Sequence, residues 1–478
     1  MKTPILGQTY VARSINAADS RMVNLYPEAV PDSGLEAGFL IRCPGLSVLA
    51  TIGTGPIRGL WAFGGYGYVV SGIGLYRIDS AYTATLLGNV SGAGPVSMVD
   101  NGFQLFIACN PDGYVYNANT GVFVQLTLAA NNFPGAVTVG YLDGYFIFNQ
   151  PNSQYVWSTA LLDGTSISLL DFASVEGFPD GVVSLIVDHR EAWFFGALSI
   201  EVWYDAGLPD FPLARIQGAF IEIGCAAAYS VAKMDNSVFW LGSDARGSGI
   251  VYRANGYTPV RISTHAVEFA IQGYATISDA IAYTYQQEGH PFYVLTFPSG
   301  NATWVYDGAT HMWHEREGFV GGLSTRHRSN CQMTFNGLTV VGDYQDGKIY
   351  SMNLDTYADG NAVQKWIRSW RALPPGGNNL NRTAQHELQL ECETGVGLVT
   401  GQGSDPQVLL RWSDDGGHTW SNYHSKDMGA IGNTGTRVIW RRLGMTEKLR
   451  DRVYEVSGTD PVKIAIMGAE LHASRTNA

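Results

Sequence analysis

The sequence predicts an all-β protein: a β-propeller of about six to seven irregular blades followed by a C-terminal β-sandwich-like module. Three observations predict it. First, a hairpin-like unit recurs along the first three quarters of the chain, starting near Gly59, Val96, Val137, Val182, Ala226, Asp279 and Ser324. Each unit has a short alternating apolar run, a Gly/Asn/Asp turn, and a second run rich in Tyr, Phe, Trp, Val and Ile. GLWAFGGYGYVVSGIGLYRID, VSMVDNGFQLFIACNPDGYVYN and VTVGYLDGYFIFNQPNSQYVWS show the form. Second, successive starts stand roughly 37 to 53 residues apart, which is the period of propeller blades. Third, one such unit cannot bury its own apolar face, so the copies must stack around an axis.

Composition agrees with this class. The 478 residues include 57 Gly, 12% aromatics and only 15% charged residues, a turn-rich β composition. The net charge of −12 argues against a general grip on DNA phosphates. It still leaves room for a local basic patch, or for an acidic lining along which DNA slides. Five cysteines, Cys43, Cys109, Cys225, Cys331 and Cys392, are odd in number and form no CxxC pair. They read as reduced core thiols. MKTPILGQTYVARS lacks the apolar stretch of a signal peptide, and no apolar run reaches membrane-spanning length. A soluble protein made in a reducing cytoplasm is expected.

In chain order, residues 1–58 form a leader punctuated by Pro and Gly, with FLI and LSVLATI as short strands able to close a propeller ring. Residues 59–360 hold the propeller repeats. Within them HAVEFAIQGY (265–274) has near-helical apolar spacing. KWIRSWRALPPGGNNLNR then ends in a Pro/Gly/Asn cluster that marks a boundary. Residues 361–478 carry longer alternating strands with frequent turn signals, as in a small sandwich.

Several constellations carry chemical meaning. Ser413, Asp415, Gly417 and Trp420 fit the S-x-D-x-G-x-T-W pattern of an Asp-box. Its chemistry is that of a turn. The Asp415 carboxylate would bond backbone N–H groups, Gly417 would take φ > 0, and Trp420 would anchor the hairpin in the core. His311 and His314 flank a tryptophan, but a zinc site needs further ligands, and residues three apart on a strand face opposite ways. Arg326, His327 and Arg328 form a compact basic spot. Arg437, Arg441, Arg442, Lys448, Arg450 and Arg452 lie within sixteen positions. These arginines, Lys448 aside, are the candidate interface patch, for an acidic partner surface or for DNA phosphate. No phosphate-binding or nucleophile motif is present. No catalytic, cofactor-binding or metal residue is assigned.

Several phrases also line up in order with one family. They are NLYPE and RCPGL in the leader, FPDGVVSLIVDHREAWFFGALSIEVWYDAG in the fourth unit, and RVIWRRLG and RVYEVSGTDPVKIAIMGAEL at the end. The chain resembles the packaged-DNA stabilisation proteins, or tail hub (head-completion) proteins, of short-tailed bacteriophages. That resemblance implies a homo-hexameric ring below the portal and its adaptor, the head-to-tail connector. The ring would close the exit channel after packaging and receive the tail needle or plug, with tailspikes as further neighbours. DNA would pass through without sequence-specific binding, and no membrane would be involved. The protein would be made in the host cytoplasm and reside in the virion tail, with no enzymatic role. The rival readings are a carbohydrate-binding or glycan-hydrolysing propeller tail protein, suggested by the Asp-box, and a monomeric ligand-binding propeller.

Overall fold

The computed structural model describes residues 1–15, 18–30, 37–373, 382–446 and 452–476. Seven antiparallel sheets follow one another as the blades of a propeller. Their innermost strands begin with Ile57–Phe63 in blade 1, Ser97–Asp100 in blade 2, Val139–Leu142 in blade 3 and Val182–Asp188 in blade 4. Ala232–Met234, Ile281–Gln287 and Ser329–Phe335 serve blades 5, 6 and 7. The sequence repeats predicted five of these positions to within about two residues; Ala226 falls ahead of the blade 5 strand, and Ser324 falls on an extra hairpin, Glu317–Val320 with Leu323–Arg326. That hairpin precedes blade 7.

The blades form from local chemistry. In six of them the first two strands are joined by a two-residue turn with both residues left-handed: Gly64-Gly65, Asp143-Gly144, His189-Arg190, Asp235-Asn236, Glu288-Gly289 and Asn336-Gly337. This turn matches the right-handed twist of the strands it joins and favours Gly, Asn and Asp. Blade 4 departs from that preference with two bulky residues. His189 Nε2 lies 2.7 Å from Asn236 Oδ1, and Arg190 donates to Asp143 Oδ2 at 2.8 Å. The costly turn of blade 4 therefore ties together the turns of blades 3, 4 and 5. Between blades the side chains are apolar, as in the cluster of Phe106, Phe133, Phe146, Phe148 and Trp157. The predicted helix is present as His265–Gln272, capped by the Thr264 side chain, which accepts from the Val267 N–H. It covers blades 5 and 6. A single turn of helix, Leu128–Asn131, was not predicted.

Blade 7 takes its outer strand from the leader. Gly45–Thr51 pairs antiparallel with Lys348–Asn353, from Gly45 opposite Asn353 to Thr51 opposite Lys348. The chain then enters blade 1 directly, so the two ends of the repeat array are latched together.

The rest of the leader lies elsewhere. Leu25–Ala29 and Gly38–Arg42 join Ala465–Arg475, Thr383–Cys392 and Val438–Arg441 in a five-stranded sheet of the sandwich. The facing sheet comprises Met22–Val23, Trp366–Arg371, Val453–Gly458, Gln407–Ser413 and His424–Asp427. Between them lie Leu25, Leu40, Trp366, Trp370, Leu388, Val408, Tyr454 and Leu471. The facing sheet does not end at the sandwich. Val23 pairs in parallel with Glu315, the last residue of blade 6, so blade 6 and the sandwich share one nine-stranded sheet. The Pro/Gly/Asn cluster at the expected boundary lies mostly outside the described residues. No helix among the described residues is long and apolar enough to cross a membrane.

Candidate functional site

The joint between propeller and sandwich is where the chain departs furthest from an apolar core. Asn24 sits at its centre, fully buried and left-handed at φ 53°. Its Nδ2 donates to the carbonyls of Glu317 (2.8 Å) and Lys365 (2.7 Å), and its Oδ1 accepts from the Glu317 N–H. One amide thus bonds the segment after blade 6 and the entry to the sandwich strand Trp366–Arg371. Arg21 reaches Glu315 and Glu317, each at 2.6 Å. Opposed carboxylates hold that guanidinium charged, despite burial.

Buried arginines fill the remaining space. Arg42 donates to Gln364 Oε1 (2.9 Å) and to the carbonyls of Asp460 (2.7 Å), Val462 (2.9 Å) and Gln364. Desolvation pushes it down to about 10. Arg368 donates to the Ile5 carbonyl at 2.6 Å, and burial lowers it to about 9. Arg316 donates to the Pro44 carbonyl and to His327 Nε2, both at 2.8 Å. Two further groups set the joint's response to acid. His290 lies between Asp307 (2.9 Å) and Glu28 (2.8 Å). Burial works against its protonation, but the bonds to both carboxylates raise it overall. His314, fully buried beside Tyr26 and Phe292, has no hydrogen-bond partner on either ring nitrogen. Desolvation and the nearby Arg316 charge lower it to about 3.

The Asp-box forms a self-contained turn. Asp415 Oδ1 accepts from Ser413 Oγ (2.7 Å) and the Thr419 N–H (2.9 Å), while Oδ2 accepts from Thr419 Oγ1 (2.7 Å). Partial burial alone would raise this carboxyl, but these bonds hold it down to about 2. Gly417 has φ 100°, and a Cβ there would meet the Asp19 carboxylate at 2.3 Å. Trp420 corrects one expectation. It is half-buried, not in the core, with the Arg411 guanidinium 4.5 Å from its ring centre and its indole N–H donating to the Gly417 carbonyl. An arginine pinned by Glu455 on the neighbouring strand offers a flat cation that the indole covers.

The arginine patch divides. Arg437, Arg441 and Arg442 are exposed. Arg437 donates to Gln389, and Arg441 pairs with Glu387 at 3.2 Å, on the edge strand of the five-stranded sheet. Arg452 is a correction: it is 1% exposed and belongs to the core. It donates to both Asp414 oxygens (2.7 and 2.8 Å) and to the Leu443 carbonyl, across the ring of Trp412. A long basic side chain is drawn inside when a carboxylate and carbonyls satisfy it there. Lys448 and Arg450 lie outside the described residues.

The basic spot at Arg326, His327 and Arg328 is likewise not a surface feature. His327 is fully buried, Arg326 is 9% exposed, and Arg328 pairs with Asp343 at 2.8 Å. His311 is exposed beside Tyr306, whereas His314 is buried in the joint, so the two imidazoles serve different surroundings. None of the five cysteines is bridged, and burial pushes the Cys43 thiol up to about 12. Sequence reasoning missed the joint. The signal was present in NLYPE and RCPGL, which supply Asn24, Glu28, Arg42 and the Pro44 carbonyl.

A seven-bladed propeller sharing a sheet with a sandwich, with buried arginines between them and a turn-forming Asp-box, defines a structural brick. Family comparison gives its kind. Residues 1–357 match the model "Bacteriophage P22 Gp10, beta-propeller" and residues 365–474 match "Bacteriophage P22 Gp10, beta-sandwich". The chain belongs to the bacteriophage P22 Gp10 family of phage stabilisation proteins. Comparison with curated proteins finds no match. Among solved structures, a chain of the mitotic checkpoint complex is similar at 10% identity and TM-score 0.43, covering 69% of this chain and 96% of its own. The extracellular domain of the hybrid two-component system BT4673 from B. thetaiotaomicron has 11% identity and TM-score 0.44, covering 80% and 47%. The Neurospora crassa Pan2 WD40 domain has 8% identity and TM-score 0.40, covering 62% and 89%.

Proposed function

We propose that the chain is a structural virion protein of the phage tail, a hub or nozzle that assembles as a homo-hexameric ring below the portal and its adaptor. The ring closes the DNA exit channel after packaging, and its far end receives the tail needle or plug and adjoins the tailspikes. It acts by assembly and not by turnover. Membership of the phage stabilisation family over both modules is the observation that carries this reading.

Other features support it. A continuous sheet through the joint resists shear between modules under the pressure of a packed genome. The net charge of −12 keeps DNA from adhering as it passes. A closed ring needs two different, complementary faces on each copy. Blade 3 exposes Leu161, Leu162, Leu169, Leu170 and Phe172 on its outer strand and the loop before it. The sandwich exposes Leu398, Val399 and Ile431. Blade 3 lies across the ring from blades 6 and 7, which adjoin the sandwich, so head-to-tail contact between these patches suits a ring.

The test is genetic and structural. Particles made without this chain are expected to package DNA and then leak it, and the wild-type chain restores retention. Images of complemented particles are expected to show sixfold density at the neck. Full heads that stay stable and infectious without the chain would overturn the reading. Leu170→Asp and Val399→Asp, both at exposed positions, are expected to fold normally and fail to complement.

A further inference from the structure

Along the propeller axis the innermost strands leave a cavity of about 390 Å³, and a second of about 340 Å³ shares Arg58, Tyr229 and Asn330 with it. The charged residues lining the first are Arg58 and Lys233, with no carboxylate. Those lining the second are Arg58, Arg326 and Asp279. The axis thus gathers three cations and one carboxylate, inside a chain whose net charge is −12.

Among the described residues neither guanidinium has a salt bridge, although the Asp279 carboxylate acts on Arg326 from a distance. Arg58 is 3% exposed; its Nε and Nη1 donate to the carbonyls of Gly94 (2.6 Å) and Gly72 (2.9 Å), while Nη2 has no acceptor. Arg326 lies flat against Tyr344, 3.7 Å from the ring centre, and its Nη1 has no acceptor. Burial lowers both from the ordinary arginine range. Asp279 is held by the Ser299 N–H at 2.7 Å, and its Oδ1 has no donor. Lys233 is exposed at the other end, bonded to the Val187 carbonyl. Arg452, by contrast, meets the Asp414 carboxylate and the Leu443 carbonyl inside the sandwich. A buried cation left without a counter-charge is costly, and a planar guanidinium is best satisfied by an oxyanion.

We propose that the axial cavity lined by Arg58 and Arg326 is a binding site for a small organic oxyanion, whose phosphate or carboxylate group supplies the missing counter-charge. The volume suits a ligand of a few heavy atoms beyond the anionic group. Asn330 Nδ2 gives one N–H to the Ile57 carbonyl at 3.0 Å and has a second to offer the ligand.

Titration calorimetry on the full chain, with sodium phosphate and separately sodium glutarate at an ionic strength fixed by sodium chloride, tests this. Saturable binding of one anion per chain is expected. Phosphate alone would mark a phosphate-bearing ligand, and glutarate alone a carboxylate-bearing one. Arg326→Gln is expected to weaken binding by about tenfold or more. Asp279→Asn, which removes the repelling carboxylate, is expected to strengthen it severalfold, and this variant decides the matter if Arg326→Gln does not fold. Failure of both anions to saturate, or affinities unchanged in the variant that folds, would overturn the proposal.

Discussion

Blades 1 to 5 and the propeller–sandwich joint hold themselves together by different means. In the blades each hairpin is local in sequence, the first turn of all but blade 2 is set by two left-handed residues, and the contacts between sheets are aromatic and aliphatic. In the joint the partners are hundreds of residues apart, and the filling is arginine, histidine and asparagine. Apolar packing tolerates a lost methyl group by partial relaxation. A buried ion loses everything when its partner is removed, because the remaining charge or carbonyl stays buried and unpaired. The joint is therefore specific and brittle, while the blades are generic and forgiving.

The sharpest way to break this comparison is one substitution in each region. Arg42→Met strands Gln364 and the carbonyls of Asp460 and Val462. It should cost about 2–4 kcal/mol in urea unfolding. Phe194→Leu, in the apolar filling of blade 4, should cost only about 1–1.5 kcal/mol. Equal losses would end the distinction.

Acid should act on the joint. His314 has a folded value of about 3, below the ordinary 6.5, so the folded state binds fewer protons than the unfolded one. Its contribution is present above the ordinary value and lost as pH falls from there toward about 3. Between pH 7 and pH 5 the loss is about 2 kcal/mol. His327 is also lowered and works in the same direction. His290 is raised and opposes them; its stabilisation is complete below the ordinary histidine value and fades as pH rises through its folded one. Urea midpoints at pH 7 and pH 5 should fall steeply for the wild type and less for His314→Leu. A common slope would refute this assignment.

Smaller effects sharpen the comparison within the turns. Asp415→Ala removes the acceptor for Thr419 and Ser413 and should cost about 1–2 kcal/mol, without altering the joint's pH response. Arg190→Gly relieves a left-handed bulky residue and loses an exposed pair with Asp143. Those terms nearly cancel, so its melting temperature should stay close to that of the wild type. A large loss there would show that the turn-to-turn ties matter more than blade packing.

What was legible in the sequence was whatever is local. Turn residues and alternation repeat every few dozen positions, so blade starts, the helix at His265–Gln272 and the Asp-box hydrogen bonds could be read from neighbouring residues. The leader's split was not legible. Strands Gly38–Arg42 and Gly45–Thr51 are separated by two residues, yet one enters the sandwich and the other blade 7. Nothing in their own pattern names partners about 300 or more positions away. Nor could the fate of a charged side chain be read. Arg441 and Arg452 look alike in sequence, and a surface carboxylate takes one while Asp414 and buried carbonyls take the other.

The chain by itself determined its strands, its turns and the need for its units to stack, because hydrogen-bonded hairpins are chosen by adjacent residues. Only the folded molecule decided how the ring closes, how propeller and sandwich become one sheet, and which arginines go inside. Those outcomes depend on donors and acceptors that meet only in three dimensions, where burial makes each unmet partner too costly to leave alone.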